Sequence, residues 1–162
     1  MQLQLPSDVL RRMRRDLLTS GSREIGGMLM GEEIGDQTFR IVDFSVDRSS
    51  GTQGSFFRDA EKHDEALAAF FERTGSNFGR FNYLGEWHSH PSFSVHPSLQ
   101  DMYAMQDLVD GSGGVEFAVL FINRLRWYWR FECSAHLFVR GHSPSVVEVI
   151  HVKRTAVMKD QD

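Results

Sequence analysis

Apolar and polar positions change rhythm several times along the chain, and each change marks an element. Leu3 and Leu5 alternate with glutamines, which predicts a short strand. Pro6-Ser7 opens a helix over residues 8–18, where Val9, Leu10, Met13 and Leu17 share one face and the arginines of RRMRR (11–15) cover the other. Gly21 follows it. EIGGMLMGEE (24–33) and QTFRIVDFSVD (37–47) read as strands joined through Ile34-Gly35-Asp36, and RSSGTQG (48–54) as a loop. A second helix covers about 60–73, with Leu67, Phe70 and Phe71 at i, i+3 and i+4. GSNFG breaks it and RFNYLGEWHSH (80–90) returns as a strand. Residues 98–109 read as a third helix, ended by DGSGG. VEFAVLFIN (115–123) is a nearly continuous apolar run, the mark of a strand covered on both faces. LRWYWRFE and HLFVRG continue the sheet, and alternation groups Cys133 with Trp127, Trp129 and Phe131 in the core.

Strands and helices mixed in this order predict an α/β (α+β) domain in three layers, a central mixed β-sheet with helices on both sides. There is no internal repeat and no low-complexity segment, so residues 1–152 are expected to form one domain and 153–162 a flexible tail. The 162 residues, 41% hydrophobic and 25% charged, suffice for a core without covalent staples.

Charge narrows the function classes. A net charge of −4 gives no overall attraction to a nucleic-acid backbone or an anionic membrane, so neither is expected as a partner. RRMRR is the local exception, read as a solvated helix face with a basic docking patch as the alternative. The single cysteine excludes an intramolecular disulfide and fits a reducing compartment. The N-terminus lacks an apolar run fit for a signal peptide or a membrane span, which predicts a cytoplasmic location.

The densest candidate chemistry lies in NYLGEWHSHPSFSVHPSLQD (82–101), which holds three of the seven histidines. Strand alternation sends Phe81, Tyr83 and Trp87 to one face, as core, and Glu86, His88 and His90 to the other. Two imidazoles at i and i+2 can converge on one ion, and imidazole suits zinc. Pro91 offers no donor and stops the ladder, so His90 belongs at a strand end beside an open mouth. Asp101, eleven residues beyond His90, falls in the first turn of the next helix and can supply a third ligand. Two histidines, one carboxylate and an open fourth position are a catalytic zinc arrangement, whose water ionises near pH ~7. A second reading uses the same residues: Ser98-Leu99-Gln100-Asp101 matches a capping box. Spacing leaves both readings open. It also leaves open which carboxylate moves protons, since Glu86 shares the histidine face and Glu24, Glu32 and Glu33 flank the glycine-rich strand.

Taken together, His88-x-His90-Pro91, Ser98-x-x-Asp101 and the segment Glu24-Ile-Gly-Gly-Met-Leu-Met-Gly31 resemble the signature of the JAMM (MPN-plus) metallopeptidases, over roughly residues 5–150. The resemblance implies a cytidine deaminase-like three-layer fold and one Zn2+ on His88, His90 and Asp101. It implies Glu24 as general base and acid, and Ser98 as an oxyanion stabiliser that also caps its helix. Glu86 stands where many relatives carry a bulky residue. Members that keep these positions are typically peptidases or isopeptidases cutting after the C-terminal glycine of ubiquitin or a ubiquitin-like protein; members that lost the ligands are scaffolds. The compact chain resembles bacterial stand-alone forms, often encoded beside ubiquitin-like conjugation enzymes, including those of antiphage defence. The partners implied are a ubiquitin-like protein or its conjugates and E1/E2-like enzymes. Two alternatives remain: a peptidase for a sulfur-carrier precursor with a Gly-Gly tail, and a non-catalytic module that holds the modifier. A substrate tail is expected as an added strand along a sheet edge, with residues 48–57 and 92–96 as channel walls. His96 is read as a solvated loop residue, and His63, His136, His142 and His151 as surface or capping residues.

Overall fold

The computed structural model describes residues 1–48 and 60–153. Their order is β1 (Gln2–Pro6), α1 (Ser7–Ser20), β2 (Gly26–Gly35), β3 (Thr38–Phe44), α2 (Ala60–Arg73), β4 (Phe81–Ser89), α3 (Leu99–Asp110), β5 (Phe117–Arg126), β6 (Arg130–Val139) and β7 (Ser145–Val152). Beyond Arg48, the expected loop at 48–54 and the channel wall at 48–57 lie outside the described residues, as does the tail beyond Lys153.

The domain is mixed α+β and dominated by sheet, but the strands close into a barrel in the order β1-β3-β2-β4-β5-β6-β7. This corrects the expected open sheet flanked by helices. Closure depends on β7, which pairs in parallel with β1 from Gln2↔Glu148 to Pro6↔Val152. Sequence patterning did not single out β7, because it is half-exposed and its apolar alternation is weak. Its partner also lies at the opposite end of the chain, and periodicity is blind to non-local pairing.

The larger core fills the inner side of the strands. Leu3, Leu5, Leu29, Ile41, Trp87, Val119 and Phe121 meet Val9, Met13 and Leu17 of α1, the face expected from their spacing. The smaller core lies outside, where Ala118, Leu120 and Ile122 of β5 and Phe138 of β6 pack under Met105 and Val109 of α3. β5 is therefore covered on both faces, as its unbroken apolar run predicts.

Two expectations based on simple alternation fail. The register of β2 against β4 runs Leu29↔Gly85 then Met30↔Tyr83, so Leu84 is an extra residue in a bulge. The bulge resets the phase: Leu84 joins Trp87 inside, while Tyr83 packs on the α3 side. Gly85 makes it possible, with φ at +149° and a position where a Cβ would lie 2.0 Å from the Val119 carbonyl oxygen. The second failure is WYWRFEC. β5 and β6 pair from Phe117↔Val139 to Arg126↔Arg130, which makes residues 127–129 the hairpin turn and leaves their rings exposed. Cys133 does stay half-buried against the inner core, and burial pushes its thiol up to about 11. Among the described residues, no helix is long and apolar enough to cross a membrane.

Candidate metal centre

β4 delivers the histidines. His88 is aligned with Ile122 of the parallel strand β5, and Ile122 packs beneath α3, so His88 faces that helix. His90 sits just past the strand end, its N–H donating to the Asn123 carbonyl at 2.9 Å. Pro91 then ends the pairing.

The third side chain arrives through the helix cap. Ser98 is the N-cap of α3; its Oγ accepts from the Asp101 N–H at 3.2 Å, and its own N–H donates to Asp101 Oδ2 at 2.7 Å. The Ser98 hydroxyl donates to the same carboxylate oxygen at 2.7 Å. The two sequence readings are thus compatible. The capping box, worth about 1 kcal/mol, turns the Asp101 carboxylate toward the histidines.

His88 Nε2 lies 3.0 Å from His90 Nε2 and 3.5 Å from Asp101 Oδ1, with His90 Nε2 3.9 Å from Oδ2. One ligand atom from each residue fits within 4.8 Å of the others, and both histidines are buried. His90 Nδ1 sits 2.7 Å from the Ser94 carbonyl. A carbonyl only accepts, so the proton belongs on Nδ1 and the neutral ring turns a bare Nε2 lone pair into the cluster. Two imidazole nitrogens and a carboxylate oxygen converging in this way can bind a metal ion, and the donor set is one that zinc accepts.

The electrostatics of the site follow from burial and proximity. Burial pushes the Asp101 carboxyl up, but the His88 hydrogen bond and charge and the two Ser98 donors hold it well below the usual carboxylate range. Burial lowers the His90 imidazole; the Ser94 carbonyl opposes this, while the charges of His88 and Arg124 add to it. Glu24 is 3% exposed, and burial raises its carboxyl, with His88 lowering it and Asp101 raising it. These couplings place Glu24 within electrostatic reach of both cluster residues.

Strand register separates the glutamates by position. β2 runs antiparallel to β4 with Gly26↔His88 and Glu32↔Phe81. Glu24, just before β2, therefore sits at the ligand end, whereas Glu32 is about 20 Å away at ~3.3 Å per strand residue. Glu32 is bound by Arg80 at 2.6 Å and Arg40 at 3.3 Å, and Glu33 is exposed. Glu86 is half-buried on the His88 face and is not among the three clustered residues.

Sequence reasoning missed Ser89. It is fully buried between the two histidines; its Oγ accepts the Ile25 N–H at 3.0 Å and its N–H donates to the Ile25 carbonyl at 2.8 Å. It thereby clamps the residue after Glu24 to the strand that carries the ligands. In an H-x-H pattern the middle side chain points to the opposite face, which hides it from a search for ligands. Ser89→Ala orphans a buried N–H, so denaturant unfolding should show a loss of about 1–3 kcal/mol with any metal binding by the cluster kept. An unchanged unfolding midpoint would remove the clamp from the account.

Two other histidines depart from expectation. His63 is buried rather than superficial, because α2 turns it inward to Ser45 Oγ at 2.7 Å from Nδ1. His136 is half-buried on β6, and its imidazole is lowered by burial and by the nearby charge of His96. His142 and His151 are exposed, and so is His96. The expected channel wall at 92–96 is tied down by Arg124, which donates to the Phe93 carbonyl, and by the Ser134 hydroxyl, which donates to the Val95 carbonyl. Among the described residues, the β6–β7 ladder begins at Ala135, so residues 130–134 form a short stretch of edge for an added strand.

Comparison with known proteins agrees with this geometry. The family model for prokaryotic homologs of the JAB domain matches residues 6–151. No curated protein matches the chain. Among solved structures, a protein from Desulfitobacterium hafniense is similar with a TM-score of 0.69 at 18% identity, covering 96% of each chain. A protein from Salinibacter ruber is similar with a TM-score of 0.57 at 18% identity, covering 94% of this chain and 92% of its own. At that identity the likeness concerns the fold.

Proposed function

Because the chain belongs to the prokaryotic homologs of the JAB domain, we propose that it is a zinc-dependent peptidase that cuts after the C-terminal glycine of a ubiquitin-like protein. The observation that carries this reading is the convergence of His88, His90 and Asp101 beside a buried glutamate. Those three residues would hold the zinc, which when bound supplies a Lewis acid and an acidified water. Glu24 takes the proton from the attacking water and returns it to the leaving amine nitrogen, a role its raised pKa suits. Ser98 holds Asp101 in place, and its hydroxyl, once rotated off that carboxylate, donates to the oxyanion. Ser94 fixes the His90 tautomer through its carbonyl.

Within this proposal the ubiquitin-like protein is joined either to a lysine of another protein or to its own precursor extension, and the setting is a bacterial conjugation pathway of the kind found in antiphage defence. The protein purified with zinc, offered ubiquitin-like domains ending in Gly-Gly and extended by a peptide or by an isopeptide-linked lysine, should release the product after the second glycine. Cleavage confined to a sulfur-carrier precursor would move the substrate class. Tight binding of every fusion without product would make the domain a holding module.

A further inference from the structure

The hairpin tip between β5 and β6 breaks a local rule with no return inside the fold. Trp127 and Tyr128 both have positive φ, 53° and 66°, and the Trp129 N–H donates to the Arg126 carbonyl at 3.3 Å. That sign pattern belongs to a type I′ turn, whose central positions favour Asn-Gly because bulky side chains strain there. The rings gain little burial in exchange: Trp127, Tyr128 and Trp129 are 57%, 85% and 64% exposed. They are nevertheless held by contacts. Trp127 and Trp129 stack at 6.3 Å, the Arg126 guanidinium lies 4.2 Å over the Trp127 ring, and Arg14 of α1 donates to the Trp129 carbonyl at 2.8 Å. An exposed, strained and preorganised aromatic tip has the properties of a recognition surface.

The tip forms one wall of a groove of about 440 Å³, opposite Leu17 and Leu18 at the end of α1. Two of its lining residues are chain neighbours of candidate site residues. Ser22, two residues before Glu24, lines it, and so does Pro91, directly after His90. Its surroundings are cationic. Arg124, Arg126 and Arg130 gather around the single carboxylate of Glu132 at 2.7, 3.8 and 3.4 Å, and Arg14 adds a further positive charge. This local excess contrasts with a chain whose net charge is −4.

We propose that this groove docks an extended acidic segment of the substrate polypeptide next to the scissile bond, with a bulky apolar side chain against Leu18 and the Trp127–Tyr128 rings. The identity of the segment as substrate rests on the peptidase reading; the docking face itself does not. The test uses the zinc-loaded full chain and two fluorescein-labelled twelve-residue peptides, one alternating Glu with Leu and one with Lys replacing every Glu, read by anisotropy. The acidic peptide should bind at least roughly tenfold more tightly than the basic one, and its affinity should fall with added salt. The double variant Trp127→Asn/Tyr128→Gly installs the preferred turn residues, so its melting temperature should equal or exceed that of the wild type while acidic-peptide binding drops roughly tenfold or more.

Equal binding of the two peptides, no binding of either, or unchanged binding by the double variant would overturn the proposal. So would sedimentation showing a dimer that this variant converts to a monomer, since the face would then be covered by a second copy. A wild type that binds the acidic peptide through the hairpin yet cleaves no fusion would remove the peptidase reading and leave the docking face. A double variant with wild-type kcat/KM and wild-type binding would do the reverse.

Discussion

Glu24→Gln is expected to keep one zinc per chain and to lose roughly 10²–10⁴-fold in turnover. The amide is close in shape to the carboxylate but cannot accept the proton of the attacking water, and Glu24 is not one of the three clustered ligand residues. A structural role would show a different signature, so the variant also carries a stability prediction. Burial raises the Glu24 pKa above its ordinary value. A group with a raised folded-state pKa contributes stability that is present below the unfolded pKa and is lost as pH rises through the folded one. In the metal-free wild type the ionised carboxylate is therefore a burden near neutral pH. Metal-free Glu24→Gln should melt higher than metal-free wild type at about pH 7, with the gap narrowing toward about pH 4. A variant that keeps full turnover would end the assignment of Glu24 as base.

The second large effect belongs to His88. Zinc that binds only the folded chain stabilises it by about 4 kcal/mol when present at roughly a thousand times its Kd. For a domain of this size that is a rise of roughly 8–16 °C in Tm. His88→Ala removes the side chain central to the cluster, 3.0 Å from His90 Nε2 and 3.5 Å from Asp101. It should abolish both the zinc-dependent Tm shift and hydrolysis. His96→Ala, at an exposed loop position, should retain both. Thermal melts with and without zinc, with metal content measured on the same samples, distinguish these cases. A His88→Ala protein holding stoichiometric zinc would displace the metal from the proposed site.

The same two residues show what the sequence could and could not reveal. His88 and His90 were legible because a strand has a period of two and Pro91 marks its end. Asp101 was legible because a capping box fixes the first turn of a helix, and Ser98 and Asp101 form that box in the fold. The inner face of α1 and the double burial of β5 were equally local properties. The spacing of residues left Glu24, Glu32 and Glu33 open and only the family resemblance implied Glu24; the pairing of Gly26 with His88 puts Glu24 at the end of β2 nearest the cluster.

What escaped the sequence was non-local or depended on an exception. Barrel closure needs β1 and β7 to meet, and nothing in either strand names its partner. The bulge at Leu84 shifts phase in the middle of an alternating run, so Tyr83 and Trp87 part company. Trp127 to Trp129 look like core because aromatics usually are, yet they form a turn that aromatics seldom occupy. Ser89 was overlooked since its hydrogen bond to Ile25 joins segments more than sixty residues apart.

The most direct test of the central claim is a zinc titration of metal-stripped wild-type protein, with hydrolysis of a Gly-Gly-extended ubiquitin-like fusion followed at each step. Activity should be absent at the start, rise in proportion to bound zinc and level off at one ion per chain. Hydrolysis that persists without metal, or stoichiometric zinc binding that never yields cleavage of any fusion, would contradict the account.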